Sequence, residues 1–283
     1  MINYYLLTKP GILLGNLITV AAGFWLASMN SKGSFDAALF FATCVGLALV
    51  MASACVWNNY IDRDLDKKMS RTQNRPLVLG LIRERSAILF ALFLGILGAA
   101  ILHLATNKIS LLIAAAGFFI YVVIYSLWKC RTLYATAIGS LAGAVPPLVG
   151  YTAVSQKLDL GAFLFFAIMV LWQMPHFFAI ALSRLDDYTR AGIPVLPIKK
   201  GIFRTKIHIL LYILGFIFAT SLLTAFNYTG SLFLIAAGVS GLIWLWLALK
   251  GFQSDDVQLW GRQMFLASLW VITAVCLSII LFR

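Results

Sequence analysis

The sequence predicts an all-α, polytopic membrane bundle of about nine transmembrane helices, formed by a single domain over residues 1–283. Three observations predict it. The chain is 62% hydrophobic and only 11% charged, whereas a soluble domain carries about 25% charged residues. Apolar runs of ~18 residues or more, long enough to cross a bilayer, recur from one end to the other. No run alternates with period two between polar turns, so a β-barrel is not supported.

The runs fall at about 11–29, 37–57, 87–106, 109–128, 133–153, 160–182, 207–226, 230–250 and 264–282. The first follows Lys9–Pro10, and the second ends on the polar stretch that begins at Asn58. The fifth holds Pro146–Pro147 inside a small-residue segment, Gly139 to Gly150, which predicts a mid-membrane break and either close helix packing or a cavity beside the backbone. The sixth holds Pro175, where a freed carbonyl favours a kink. Two connections are long, about 58–86 and 183–206, and each carries acids, then Arg, then Pro, a faint sign of two related half-bundles.

Lys and Arg orient the bundle. One side collects Lys9, the stretch Arg63 to Arg85, Lys129, Arg131, the stretch Arg184 to Lys206, Lys250 and Arg262; the other holds only Lys32, Lys108, Lys157 and Arg283. This split of 18 to 4 among the 22 basic residues puts the N-terminus in the cytoplasm, the C-terminus outside and the long acidic loops at the cytoplasmic face. The net charge of +12 is therefore a membrane-orientation signal, and no nucleic-acid partner is expected. Residues 1–10 lack a cleavable signal and an Arg- or Ser-rich transit peptide, so a bacterial plasma (inner) membrane is expected. Cys44, Cys55, Cys130 and Cys276 form no CxxC pair; they read as buried small hydrophobes rather than a disulfide or zinc framework.

Chemistry concentrates in Asn58 to Leu77. Asn58, Asp62 and Asp66 are four apart; on a helix they drift by only ~80° and climb ~12 Å, so they share a face. Asp64 points elsewhere. Two carboxylates and an amide oxygen are hard ligands suited to Mg²⁺. Arg71 and Arg75 follow, and Arg binds phosphate oxygens bidentately. The segment reads as a Mg²⁺–diphosphate site, and equally as a solvated loop of mixed charge. Tyr125 and Lys129 share a face at a cytoplasmic helix end, either reaching the same anion or forming an interfacial aromatic with a snorkelling lysine. His176 is the one histidine well inside a run; imidazole there ligates haem iron, acts as an acid or base, or bonds a neighbouring helix. The second long loop brings Arg184, Asp186 and Asp187 to the same surface.

Taken together, these residues resemble the UbiA superfamily of intramembrane prenyltransferases. Asn58…Asp62…Asp66 resembles its NxxxDxxxD motif, and Tyr125…Lys129 its YxxxK element. The segments DRDLDKKMSRTQNRPL, AGAVPPLVGY, WQMPHFFAIA and DDYTRAGIPVLP are similar to the haem-farnesylating branch, from about Lys9 to the ninth run. The second DxxxD of the superfamily is missing; Asp187 is the expected single acidic contact, with Asp186 close behind. The resemblance implies transfer of a farnesyl group from farnesyl diphosphate to haem b, giving haem o and diphosphate. It implies Mg²⁺ held by Asn58, Asp62, Asp66 and Asp187, and diphosphate held by Arg71, Arg75, Lys129 and Arg184. Asp62, Asp66, Tyr125, Lys129 and His176 are then the catalytic set, with His176 touching haem. Implied partners are membrane lipid and a terminal-oxidase assembly or a haem a synthase. Two rivals are a prenyltransferase acting on an aromatic quinone precursor and a membrane transporter; the clustering of ionisable residues at one surface disfavours the transporter, which places them near the midplane.

Overall fold

The computed structural model describes residues 2–31 and 35–282. Lys32 and Arg283, two of the four basic residues assigned to the outer side, lie outside the described residues. Within them, nine helices are long and apolar enough to cross a membrane. They are α1 Pro10–Asn30, α2 Ala37–Ile61, α3 Glu84–Ala105, α4 Lys108–Trp128, α5 Ala135–Ser155, α6 Leu160–Ser183, α7 Ile202–Ala225, α8 Ser231–Gln253 and α9 Val257–Leu281. Each matches one expected run. α7 and α9 start well before their runs because helical hydrogen bonding continues through Arg204, Lys206 and Arg262, whereas hydropathy marks only the lipid-crossing part. Four starts are capped by a side-chain oxygen: Asp36 accepts from Leu39 N, Asn107 from Ser110 N, Asp159 from Ala162 N and Asp256 from Leu259 N.

Two spans are irregular. α5 breaks at Ala144 into Ala135–Gly143 and Val145–Ser155, with proline in the first turn of the second half, where its missing N–H costs no internal bond. α4 widens into a π-helix at Ile120–Tyr125. Pro175, by contrast, leaves α6 unbroken from Leu160 to Ser183. The largest core joins α6, α7, α8 and α9 around Phe165, Met169, Phe216 and Trp244. Leu89, Phe93, Ile96 and Leu112 are among the many large apolar side chains that stay exposed, as a lipid-facing surface requires. Of the four free cysteines, Cys55 and Cys276 are buried and Cys44 is half-buried. Cys130 corrects the sequence reading: it is exposed, because it lies just past the end of α4.

α1 and α5 cross at glycine. A Cβ on Gly23 would stand 2.1 Å from the Pro147 carbonyl oxygen, and one on Gly150 would stand 2.2 Å from the Val20 carbonyl oxygen. Backbone cannot yield as a side-chain tip does. Gly23→Ala and Gly150→Ala are each expected to cost about 1–3 kcal/mol through overpacking. In detergent, either should lower the thermal midpoint by several degrees, while Gly238→Ala, which meets nothing within 4 Å, leaves it unchanged or raised. Equal midpoints for all three would remove the close crossing from the account.

Strict alternation of the spans brings the N-terminal segment and the α2–α3, α4–α5, α6–α7 and α8–α9 connections to one end of the bundle. The acidic and basic motifs all meet there.

Candidate active site

The α2 helix delivers the first ligand set. It ends at Ile61, and a short helix, Arg63–Asp66, continues its direction after Asp62. Helical bonds run through the junction: Asp62 N donates to Asn58 O at 2.9 Å, and Asp66 N to Asp62 O at 2.8 Å. The spacing of four therefore survives. Asn58, Asp62 and Asp66 are all buried, each 5% exposed or less, while Asp64 turns outward to pair with Arg63 and Lys67. Beyond Asp66 the chain leaves the helix in a series of turns that runs past Pro76.

Basic groups stand directly on these oxygens. Lys129 donates to Asp62, Arg75 Nη1 to Asp66 Oδ2 at 2.6 Å, and Lys9 to Asn58 Oδ1. The Asn58 amide nitrogen donates to Asp62 Oδ2 at 2.7 Å and to Ser126 Oγ at 3.0 Å, which fixes its oxygen toward Lys9. Three cations face two carboxylates, so the pocket is poised for a further anion.

Lys9 was absent from the site read from the sequence, where it counted only as an orientation signal. It sits before Pro10 with φ 53° and ψ 62°, a left-handed conformation that a lysine adopts at a cost. Asn59 Nδ2 donates to Leu7 O at 2.8 Å, tying the N-terminal helix Ile2–Leu7 to α2 and aiming Lys9 inward. Burial lowers the Lys9 ammonium to a pKa of about 8. Asp62 and Asp66 stand close enough to offset part of that fall.

The π segment of α4 shapes the next wall. It carries Tyr121 and Tyr125, whose rings stack at 5.7 Å with 8° between planes, and Lys129 lies 5.9 Å from the Tyr125 ring centroid. Ser126 Oγ donates to Tyr121 O, closing the wide turn. π-bulges concentrate at functional sites. Gly139 makes room for the Tyr125 ring: a Cβ there would lie 3.1 Å from it and 3.7 Å from the Phe177 ring.

The second loop separates its two acids. Asp187 is buried and accepts from Ser70 Oγ at 2.8 Å, from Ser70 N at 3.2 Å and from Arg190, so it anchors the turn after the first motif. Burial works against its charge, yet the bonds from Ser70 and Arg190 prevail and hold its carboxyl below the usual range. Asp186 is exposed and accepts from Gln258 of α9. Arg71 and Arg184 are exposed at the rim; Arg71 is near enough to the Tyr188 phenol to oppose the rise that burial imposes on it. The sequence placed both arginines on the diphosphate; in the structure neither makes a side-chain hydrogen bond among the described residues.

His176 lies deeper, half-buried on α6, stacked on Trp172 at 4.9 Å and bonded through Nδ1 to Ser268 Oγ of α9 at 2.7 Å. Gln173, one turn away, is buried beside Gly143 with its Oε1 unpaired. A separate cavity of about 190 Å³ at the opposite end, lined by Leu26, Asn30 and Tyr228, contains none of these groups.

No three His, Cys, Asp or Glu side chains converge on a metal among the described residues. Asn58, Asp62 and Asp66 nevertheless suit Mg²⁺, which takes one or two protein carboxylates and completes its shell with water and phosphate oxygens.

A buried amide–carboxylate ladder ringed by cations thus lies at one end of an apolar nine-helix bundle, the arrangement that the resemblance to intramembrane prenyltransferases implies. The chain belongs to the UbiA prenyltransferase family, which it matches over residues 16–270. It is 61% identical over 280 residues to the protoheme IX farnesyltransferase of Protochlamydia amoebophila, covering 99% of this chain and 98% of that one. It is 50% identical to the protoheme IX farnesyltransferase of Edwardsiella ictaluri, over 96% and 92% of the two chains. These bacterial relatives agree with an inner-membrane location. Among solved structures, a digeranylgeranylglyceryl phosphate synthase superposes with TM-score 0.81 at 18% identity, covering 99% of this chain and 97% of that one. A UbiA homolog from Archaeoglobus fulgidus bound to DMAPP and Mg²⁺ superposes with TM-score 0.75 at 17% identity, over 98% and 99%. The chain is an enzyme, so the transporter reading is discarded.

Proposed function

We propose that the enzyme moves a farnesyl group from farnesyl diphosphate to a vinyl group of haem b, releasing diphosphate and forming haem o. The acceptor reading is carried by 61% identity over the full chain to a protoheme IX farnesyltransferase. The donor chemistry is supported by the site itself. Asn58, Asp62 and Asp66, with Asp187 near them through Ser70, would hold Mg²⁺. When bound, the metal neutralises charge that develops on the diphosphate as the allylic C–O bond breaks.

Lys9, Arg75 and Lys129 share that task. Each now occupies an oxygen of the ladder and is positioned to turn to the diphosphate, with Arg71 and Arg184 at the rim. The Tyr121 and Tyr125 rings offer π faces to the farnesyl cation. The apolar bundle keeps water away until the vinyl π electrons form the new C–C bond. Water then adds to the cation left beside the porphyrin ring, and one proton departs, completing the hydroxyethylfarnesyl group. His176 contacts the haem. The basic end of the bundle faces the cytoplasm, where the diphosphate headgroup arrives while its tail stays in lipid. Haem o passes to a terminal-oxidase assembly or a haem a synthase.

Purified protein given Mg²⁺, farnesyl diphosphate and haem b is expected to form haem o, detected by mass spectrometry, and to stop when EDTA is added. Prenylation of 4-hydroxybenzoate in place of haem would move the acceptor to a quinone precursor.

A further inference from the structure

Ser268 carries a role that neither the sequence motifs nor the family match assigns. Its hydroxyl is 2.5 Å from the Phe265 carbonyl oxygen and donates to it. At that distance the hydroxyl proton is committed to the carbonyl. Ser268 Oγ therefore offers only lone pairs to His176 Nδ1, 2.7 Å away. The imidazole must then carry its proton on Nδ1 and leave Nε2 bare. Two further contacts make this arrangement rigid. Trp172 Nε1 donates to the Ser268 carbonyl at 2.8 Å, fixing the backbone of α9 against α6. The imidazole is held between the Trp172 ring at 4.9 Å and the Phe265 ring at 5.1 Å. Ser268 itself is fully buried.

Nε2 has no hydrogen-bond partner among the described residues, and its surroundings are the rings of Trp172, Phe177 and Phe265. Nε2 is not among the buried side-chain atoms left without a partner, so it is an acceptor open to a ligand and framed by aromatic rings. A flat apolar macrocycle with a metal at its centre suits both features: the rings cover its face and the lone pair binds its iron. The location fits as well, since Phe177, beside His176, shares the Gly139 gap with Tyr125 of the donor site.

We propose that Ser268 is a positioning residue that locks His176 in the Nδ1–H tautomer and so presents Nε2 to haem iron. This rests on the haem-acceptor reading above. Donation of the remote N–H to a fixed acceptor makes an imidazole ligand more basic, and losing such a partner weakens metal binding about tenfold or more.

The test is resonance Raman of the ferrous haem complex without farnesyl diphosphate, alongside haem titration. Wild type is expected to show an iron–histidine stretching band that His176→Ala abolishes and added imidazole restores. Ser268→Ala should keep a band at lower frequency with about tenfold weaker haem binding, while Ser268→Thr, which keeps the hydroxyl, stays at the wild-type frequency. Farnesyl diphosphate binding checks that each variant is folded, and Ser268→Cys, a weak acceptor, replaces Ser268→Ala if the latter does not insert. A band that survives in His176→Ala overturns the haem-ligand reading. A band lost in His176→Ala but unmoved in Ser268→Ala and Ser268→Cys overturns the role of Ser268 alone.

Discussion

Asp66→Ala protein, inserted and folded, is expected to transfer prenyl groups about 10³-fold more slowly than wild type, a loss of ~4 kcal/mol of transition-state stabilisation. Asp62→Ala should do the same. Each carboxylate is buried and has a cation bound to it, Lys129 on Asp62 and Arg75 on Asp66. Removing the acid takes away a metal oxygen and also strands a partly buried charge, which alone destabilises by about 3–5 kcal/mol. Asp62→Asn and Asp66→Asn separate the two effects, because the amide keeps the shape and still offers an oxygen to the cation. They should unfold near the wild-type temperature and still lose most of the rate. Measured with saturating haem b, the deficit should appear in kcat as well as in the Mg²⁺ concentration needed for half-maximal rate. Asn variants with wild-type kcat and Mg²⁺ dependence would show that the ladder is structural.

That ladder could be read directly from the chain because its logic is local. A step of four keeps Asn58, Asp62 and Asp66 on one face, and the turn at Asp62 preserves the helical bonds on which the step depends. The nine spans were equally legible, since hydropathy averages over some twenty residues and tolerates errors at the ends. What depends on distant partners was not. Asp186 and Asp187 are neighbours in sequence, and only the bond from Ser70, 117 residues earlier, selects the buried one. Nothing in Ile120–Tyr125 distinguishes a π-helix from an α-helix, because the wide turn is held by Ser126 and, through it, by Asn58 of another span. That Arg71 and Arg184 stand exposed at the rim is a property of the assembled surface, which spacing along the chain does not carry.

Lys9→Met is expected to reduce kcat/KM for farnesyl diphosphate about 10²-fold, ~2.7 kcal/mol. Three features of Lys9 support this loss. The ammonium is bonded to Asn58, 49 residues away, at the head of the ladder. The backbone at Lys9 is left-handed, a conformation of ~1–3 kcal/mol for a side-chain-bearing residue that persists only where the surroundings impose it. Burial holds the amine at a pKa of about 8, so charge is kept there against solvation rather than with it. An orientation signal needs none of these; a lysine that serves only the positive-inside rule is free in water. Lys9→Arg preserves charge but replaces a compact ammonium with a planar fork, which the left-handed turn before Pro10 cannot re-aim, and should recover only part of the rate. Topology reporters fused to either variant should read as wild type, because 17 of the 18 basic residues on that side are unchanged. A Lys9→Met enzyme with wild-type kcat/KM would return Lys9 to the role of a membrane anchor and leave Arg75 and Lys129 as the cations that receive the leaving group.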